Sequence, residues 1–160
     1  MSRTLIQFSA GHDLISWLVC QRTACLYSHC DFLLPSGELL GALPDGGVQV
    51  RAQRKDYKRL LIMEVPGFED GWKFCETQIG TPYDWVGVVG LGMWFPRQWQ
   101  NSSHWWCSEI IAESLQQAGC PVVSANSWEV TPRDLLLSRS LRLVESSLDD
   151  VSGSRFVSQT

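Results

Sequence analysis

Ser28-His29-Cys30-Asp31-Phe32-Leu33-Leu34-Pro35-Ser36-Gly37-Glu38-Leu39-Leu40-Gly41-Ala42-Leu43 is the stretch on which the reading of the chain turns. Two apolar runs, Ser28 to Leu34 and Leu39 to Leu43, flank Pro35-Ser36-Gly37-Glu38, where Pro and Gly supply the backbone geometry of a tight turn. Asp45-Gly46-Gly47 marks a second turn, after which Val48 to Arg51 and Leu60 to Val65 read as further strands. The centre of the chain is therefore expected to be a meander of antiparallel strands. Upstream, Thr4 to Phe8 is a short β-prone run. Asp13 then precedes Leu14, Ile15, Trp17 and Leu18, the pattern of a first helix that ends before Thr23.

Downstream, Glu69 to Ile79 sets Trp72, Cys75 and Ile79 at helical spacing ahead of Gly80, which predicts a helix with a glycine stop. Pro82 to Asn101 has no clean period, carries Trp85, Trp94 and Trp99, and reads as a long ordered loop. From Ser103 onward Trp106, Ile110, Ile111 and Leu115 form an apolar stripe, with Asn101, Ser102 or Ser103 as N-cap and Gly119 as the stop. Thr131-Pro132-Arg133-Asp134 starts a short helix through Leu137. Thr caps it, Pro takes the first helical position, and the acid favours the positive end of the helix dipole. Residues 1–145 are read as one domain, and the polar segment 146–160 as a flexible tail.

Of the 160 residues 44% are hydrophobic and 19% charged, which suits one core that closes without staples. A net charge of -4 gives no general attraction to nucleic acid or to an anionic membrane surface. Only Arg3 precedes the first apolar residues, and His12 and Asp13 interrupt them before a signal-peptide core can form. No stretch approaches the roughly 20 apolar residues of a spanning helix. The expectation is no stable membrane insertion, and a cytoplasmic protein or one delivered without an N-terminal signal peptide. In that setting the six cysteines (20, 25, 30, 75, 107 and 120) are expected to be reduced thiols.

The motifs of nucleotide phosphate loops, dinucleotide folds, zinc peptidases and paired C-x-x-C sites are all absent from the sequence. Cys20, Cys25 and Cys30, five apart, do not match zinc spacing, so neither metal nor cofactor is expected. Cys107 falls in the first turn of the best-defined helix, where unpaired N–H groups and the dipole favour a thiolate. The alternative is a packed core cysteine. Strand alternation puts His29 and Asp31 on one face, about 6 to 7 Å apart along the backbone, so that the carboxylate can orient the imidazole. A half-exposed pair at a strand edge is the alternative there. His104, one turn before Cys107, competes as a base, though consecutive turns rarely align such a pair. The basic run Arg51, Arg54, Lys55, Lys58 and Arg59, interrupted by Asp56, is read as a solvated face. The tryptophans at 85, 94, 99, 105 and 106 are read as core, with a substrate groove as the alternative.

Four segments together resemble a known family: Ser28 to Phe32; Gly37 to Ala42 with Gly47-Val48; Pro82-Tyr83-Asp84-Trp85; and Trp106-Cys107-Ser108-Glu109-Ile110-Ile111. They are similar to the permuted NlpC-like amidases of the papain superfamily, the YiiX and YaeF type, distant relatives of lecithin retinol acyltransferase. The similarity runs in order from about Leu5 to Leu136. In that family the histidine strand precedes the cysteine helix, as His29 precedes Cys107 here. The resemblance implies an α+β, papain-like, circularly permuted fold, an antiparallel sheet of four to six strands packed against the helix that carries Cys107. It implies Cys107 as nucleophile and His29 as base. Relatives often place a third polar residue on the next strand, where this chain has Gly41. Asp31 is the expected substitute, and Gln49 the outside candidate. Tyr83 resembles a family tyrosine near the reacting carbonyl, where its phenol would join the Cys107 N–H as an oxyanion donor. A tyrosine that simply packs its ring is the alternative.

The function implied is a cysteine-type amidase or peptidase that forms a thioester, acting on a peptide, a peptidoglycan fragment or another acyl substrate. Cell-wall action without a signal sequence would require separate delivery, for instance by a phage lysis or tail apparatus. Two other functions use the same fold: a lipid-directed acyltransferase or thioesterase, and a catalytically inactive binding module.

Overall fold

The computed structural model describes residues 3–88 and 103–148. Six strands, β1 (Thr4–Ala10), β2 (His29–Leu33), β3 (Glu38–Leu43), β4 (Gly47–Ala52), β5 (Arg59–Val65) and β6 (Arg142–Leu148), form one antiparallel sheet in the order β4-β3-β2-β1-β5-β6. Its helices are α1 (Leu14–Thr23), α2 (Lys73–Thr77), α3 (Cys107–Gln117) and α4 (Pro132–Leu136), with a 3-10 turn at Ser127–Glu129. The fold is α+β with an open sheet, and the expected hairpins of the centre are present. Gly37 and Gly46 take positive φ at the two turns, the conformation that glycine reaches without a Cβ clash.

The core lies between the sheet and α3. Strand alternation sends Ile6, Phe8, Cys30, Phe32, Leu40, Ala42 and Val48 to one face. There they meet Cys107, Ile110, Ile111 and Leu115 of α3, all buried. Each Ile, Leu, Val or Phe among them contributes about 1.5 to 3 kcal/mol when fully buried, so this interface fixes where α3 stands on β2. Ser108 adds a buried hydrogen bond, its Oγ donating to the Val130 carbonyl at 2.7 Å.

Several expectations are corrected. The helix expected over Glu69 to Ile79 shortens to Lys73–Thr77. Asp70 adopts a left-handed φ of 56°, which a right-handed helix does not pass through, and the Gly71 N–H donates to Thr4 Oγ1 at 2.9 Å, so the helix begins after them. The domain boundary drawn after 145 falls inside β6, because edge pairing with β5 carries residues 146–148 into the sheet. Residues 149–160 lie outside the described part. The expected caps Asn101 and Ser102 also lie outside it, as do Trp94 and Trp99. Trp85 opens a helical turn over residues 85–88 within the expected loop, with the Asp84 carboxylate accepting from the Gly87 N–H at 2.9 Å. α1 runs through Thr23, ending at a left-handed Ala24.

Candidate active site

The entrance of α3 is set by Trp106, an extended N-cap residue at φ −106° and ψ 168°, which makes Cys107 the first helical residue. Ser103, the remaining expected cap, plays no such part. Instead Glu109 reaches back, its carboxylate accepting from the Trp106 N–H at 3.4 Å. Burial pushes the Glu109 carboxyl up to about 7, with that hydrogen bond acting in the opposite direction. Cys107 thus stands at the positive end of the dipole, where the first backbone N–H groups have no partner within the helix.

Helix α3 docks on β2 where that strand begins. His29, Cys30 and Asp31 pair with Ser9, Phe8 and Gln7 of β1, whereas the β2–β3 ladder starts only at Phe32↔Leu40. Cys107, only 4% exposed, fits against this unzipped start. Cys30 and His29 are the neighbours that act on its sulfur. Those neighbours, the Cys30 thiol foremost and the His29 charge after the opposing effect of burial, hold the Cys107 thiol well below the usual cysteine range.

On the other side of the ring, His29 Nε2 lies 3.0 Å from Asp31 Oδ2 and 3.1 Å from Oδ1. Only a protonated Nε2 can donate to a carboxylate, so Nδ1 is the nitrogen left for Cys107. Burial opposes charge on His29, but the Asp31 carboxylate and the Cys107 sulfur outweigh it and raise the imidazole to about 10. Both shifts run in the sense that favours a thiolate beside an imidazolium.

Asp31 is fully buried, and its carboxylate is gripped by Arg51 as well as by His29. Arg51 donates from Nη2 to Oδ2 at 2.6 Å and from Nη1 to Oδ1 at 3.0 Å, a bidentate fork. Burial works against ionisation of Asp31, and the His29 and Arg51 charges override it, holding the carboxyl below its ordinary range. Arg51 Nη2 also stands 3.3 Å from His29 Nε2. Both are donors that converge on one carboxylate oxygen, so this is a shared acceptor and not a bond between them. The reading of Arg51 as part of a solvated face is therefore corrected. In β4 it pairs opposite Leu39, and the β4–β3–β2 register brings its guanidinium over Asp31.

Gly41, the position where relatives carry a third polar residue, stands opposite Asp31 when the β2–β3 register is extended by one residue. A Cβ on Gly41 would run into Asp31 Oδ1. The carboxylate from β2 thus occupies the room above β3. Gln49, the outside candidate, is turned away, its Nε2 donating to the Asp45 carbonyl at 2.6 Å. His104 is also elsewhere, its Nδ1 3.1 Å from Ser103 Oγ.

Tyr83 reaches the site through a chain of backbone bonds. Val48 N–H donates to the Thr81 carbonyl at 2.9 Å, and an isolated parallel bridge joins Tyr83 to Trp105, just before α3. Burial, then the neighbouring Cys107 and Cys30 sulfurs, raise the phenol far above its ordinary value, so it stays protonated and able to donate. Its ring packs edge-on against Trp85, 5.4 Å between centroids. Trp105 and Trp106 are buried, as a core reading expects, while Trp85 is exposed.

Cys30 and Arg51 are the two site residues that sequence reasoning missed. For Arg51 a signal was present: it shares the parity of Gln49 in a strand that alternation aims at Asp31. For Cys30 there was none beyond its place between His29 and Asp31.

No family model matches the chain, and no curated protein matches it. Among solved structures the chain is similar to the crystal structure of the metalloprotein YiiX from Escherichia coli O157:H7, at 15% identity and a TM-score of 0.68, covering 91% of this chain and 97% of that one. Among the described residues no group of three or more His, Cys, Asp or Glu side chains is arranged to hold a metal ion, and at the candidate site the Asp31 carboxylate is already taken by Arg51 and His29. What the likeness establishes is a shared YiiX-type fold.

Proposed function

We propose that this protein is a cysteine hydrolase of the amidase or peptidase kind, with Cys107 as nucleophile, His29 as proton carrier and Asp31 as the group that orients it. One observation carries the reading: a thiol at a helix entrance meets an imidazole whose far nitrogen is held by a buried carboxylate. The Cys107 thiolate attacks an amide or ester carbonyl, and the oxyanion takes hydrogen bonds from the Cys107 N–H and the Tyr83 phenol. His29 gives its proton to the leaving amine or alcohol as the carbon–nitrogen or carbon–oxygen bond breaks. The resulting thioester is opened by water, whose proton His29 accepts, and the acid product leaves. The substrate class favoured by resemblance is a peptide, including peptidoglycan fragments.

A second reading, a lipid-directed acyltransferase or thioesterase, has one observation in its favour. Helix α1 turns Leu14, Ile15, Trp17 and Leu18 outward, with Leu26 also exposed, ahead of the histidine strand. Apolar side chains clustered in this way are what an acyl chain or lipid surface would meet.

Intact-mass spectrometry after brief incubation with peptidyl esters or long-chain acyl thioesters tests both. The expected result is an acyl adduct that maps to Cys107 and is absent in Cys107→Ala; the donor that forms it names the substrate class. No adduct from either donor contradicts the proposal.

A further inference from the structure

Cys30 is a thiol that the proposed reaction leaves spare. It is fully buried, sits between His29 and Asp31 in the chain, and faces α3 from the middle of the core cluster that also contains Cys107. Helix α3 packs on β2, so Cys30 and Cys107 share one buried cluster, near enough for each to act on the other's ionisation. Both cysteines are free thiols. The remaining cysteines do not share this arrangement: Cys75 is buried on α2, while Cys20, Cys25 and Cys120 are only partly buried. A helix entrance docked on the unzipped start of a strand thus holds two buried sulfurs near one another, one poised to react and the other in position to answer it.

We propose that Cys30 is a resolving thiol, and that Cys30 and Cys107 form a reversible disulfide when the protein meets a peroxide. The inference rests on Cys107 being the reactive thiolate of the site. In the first step the Cys107 sulfur attacks the terminal oxygen of the peroxide. The O–O bond breaks, water or an alcohol leaves after taking up a proton, and Cys107 becomes a sulfenic acid. In the second the Cys30 sulfur attacks the Cys107 sulfur, an S–S bond forms, the S–O bond breaks, and the departing hydroxide leaves as water with the Cys30 proton. Two thiols supply two electrons, and one peroxide is reduced. The disulfide removes the nucleophile and also prevents its further oxidation to the irreversible sulfinic acid. A small dithiol reverses the bond by thiol exchange.

The experiment exposes the full chain to hydrogen peroxide at neutral pH, blocks free thiols with iodoacetamide, digests without reductant and maps the peptides by mass spectrometry. A parallel sample carries dimedone to trap sulfenic acid. The expected product is a peptide joining Cys30 to Cys107 that disappears with dithiothreitol. In Cys30→Ser, dimedone-labelled and sulfinic Cys107 should replace it, with near-ultraviolet circular dichroism confirming the fold. Dimedone-labelled Cys107 in the wild type with Cys30 still alkylated overturns the resolving role and leaves the nucleophile standing. Cys107 oxidised no faster than Cys20, Cys25 or Cys120 overturns both.

Discussion

Asp31 stands in the space that Gly41 leaves open: its Oδ1 lies where a Cβ on the neighbouring strand would have to go. A carboxylate two residues after the histidine on the same strand can reach the imidazole only because β3 offers no side chain there. The absent third polar residue and the buried acid are two aspects of one arrangement, and substitution at Gly41 exposes it.

Gly41→Ala forces the Asp31 carboxylate aside. Overpacking of this kind costs about 1 to 3 kcal/mol. The more telling effect is on Cys107, whose alkylation rate at neutral pH should fall as His29 loses its partner. Gly37→Ala is the comparison: its φ of +84° penalises any side chain by about 1 to 2 kcal/mol, yet nothing lies within 4 Å. It should lower stability and leave Cys107 reactivity unchanged. Equal loss of reactivity in both variants would refute a specific role for the Asp31–Gly41 contact.

Arg51→Ala breaks a buried ion pair from one side and leaves the Asp31 carboxylate to His29 alone. Chemical denaturation should show a loss of about 3 kcal/mol, the low end for such a break because the Arg51 side chain keeps 17% exposure. With Arg51 gone, Asp31 acts on His29 alone, so the imidazole holds its proton to higher pH still. Arg51→Lys keeps the charge but not the fork, and should fall between the two. Unchanged stability in Arg51→Ala would mean that the fork contributes nothing.

Stability should also depend on pH with a definite sign. His29 rises from an ordinary 6.5 to about 10, so the stability tied to its charge is whole below about 6.5 and is lost as pH climbs through about 10. Asp31 moves below its ordinary 3.8, so its contribution is present above that value and is lost as pH falls through the lower folded value. The difference in melting temperature between wild type and His29→Ala should narrow from neutral pH toward about 10. A gap that widens over that span would reverse the sign assigned to His29.

The hairpins at Gly37 and Gly46 were legible because turn chemistry and alternation are local properties, and so was the Thr131–Pro132 helix start. Features fixed by distant partners were not. The short α2 depends on the left-handed Asp70 and on Thr4 holding the Gly71 N–H, and β6 depends on the edge of β5. At the candidate site, His29, Asp31 and Cys107 could be named from residue type and spacing. Arg51 was hidden in a run of charges whose neighbours Arg54 and Lys55 are indeed solvent-facing, and only the three-strand register separates it from them. Cys30 was hidden because β2 is apolar around it, so a buried cysteine is unremarkable until α3 is placed.

The most direct test of the account is the pH dependence of Cys107 alkylation, followed residue by residue with iodoacetamide and mass spectrometry in wild type and His29→Ala. A Cys107 midpoint well below the ordinary thiol value of 9.0, moving up toward it when His29 is removed, is the predicted result. A Cys107 that titrates near 9.0 in both proteins would contradict the claim that thiol and imidazole act as one pair.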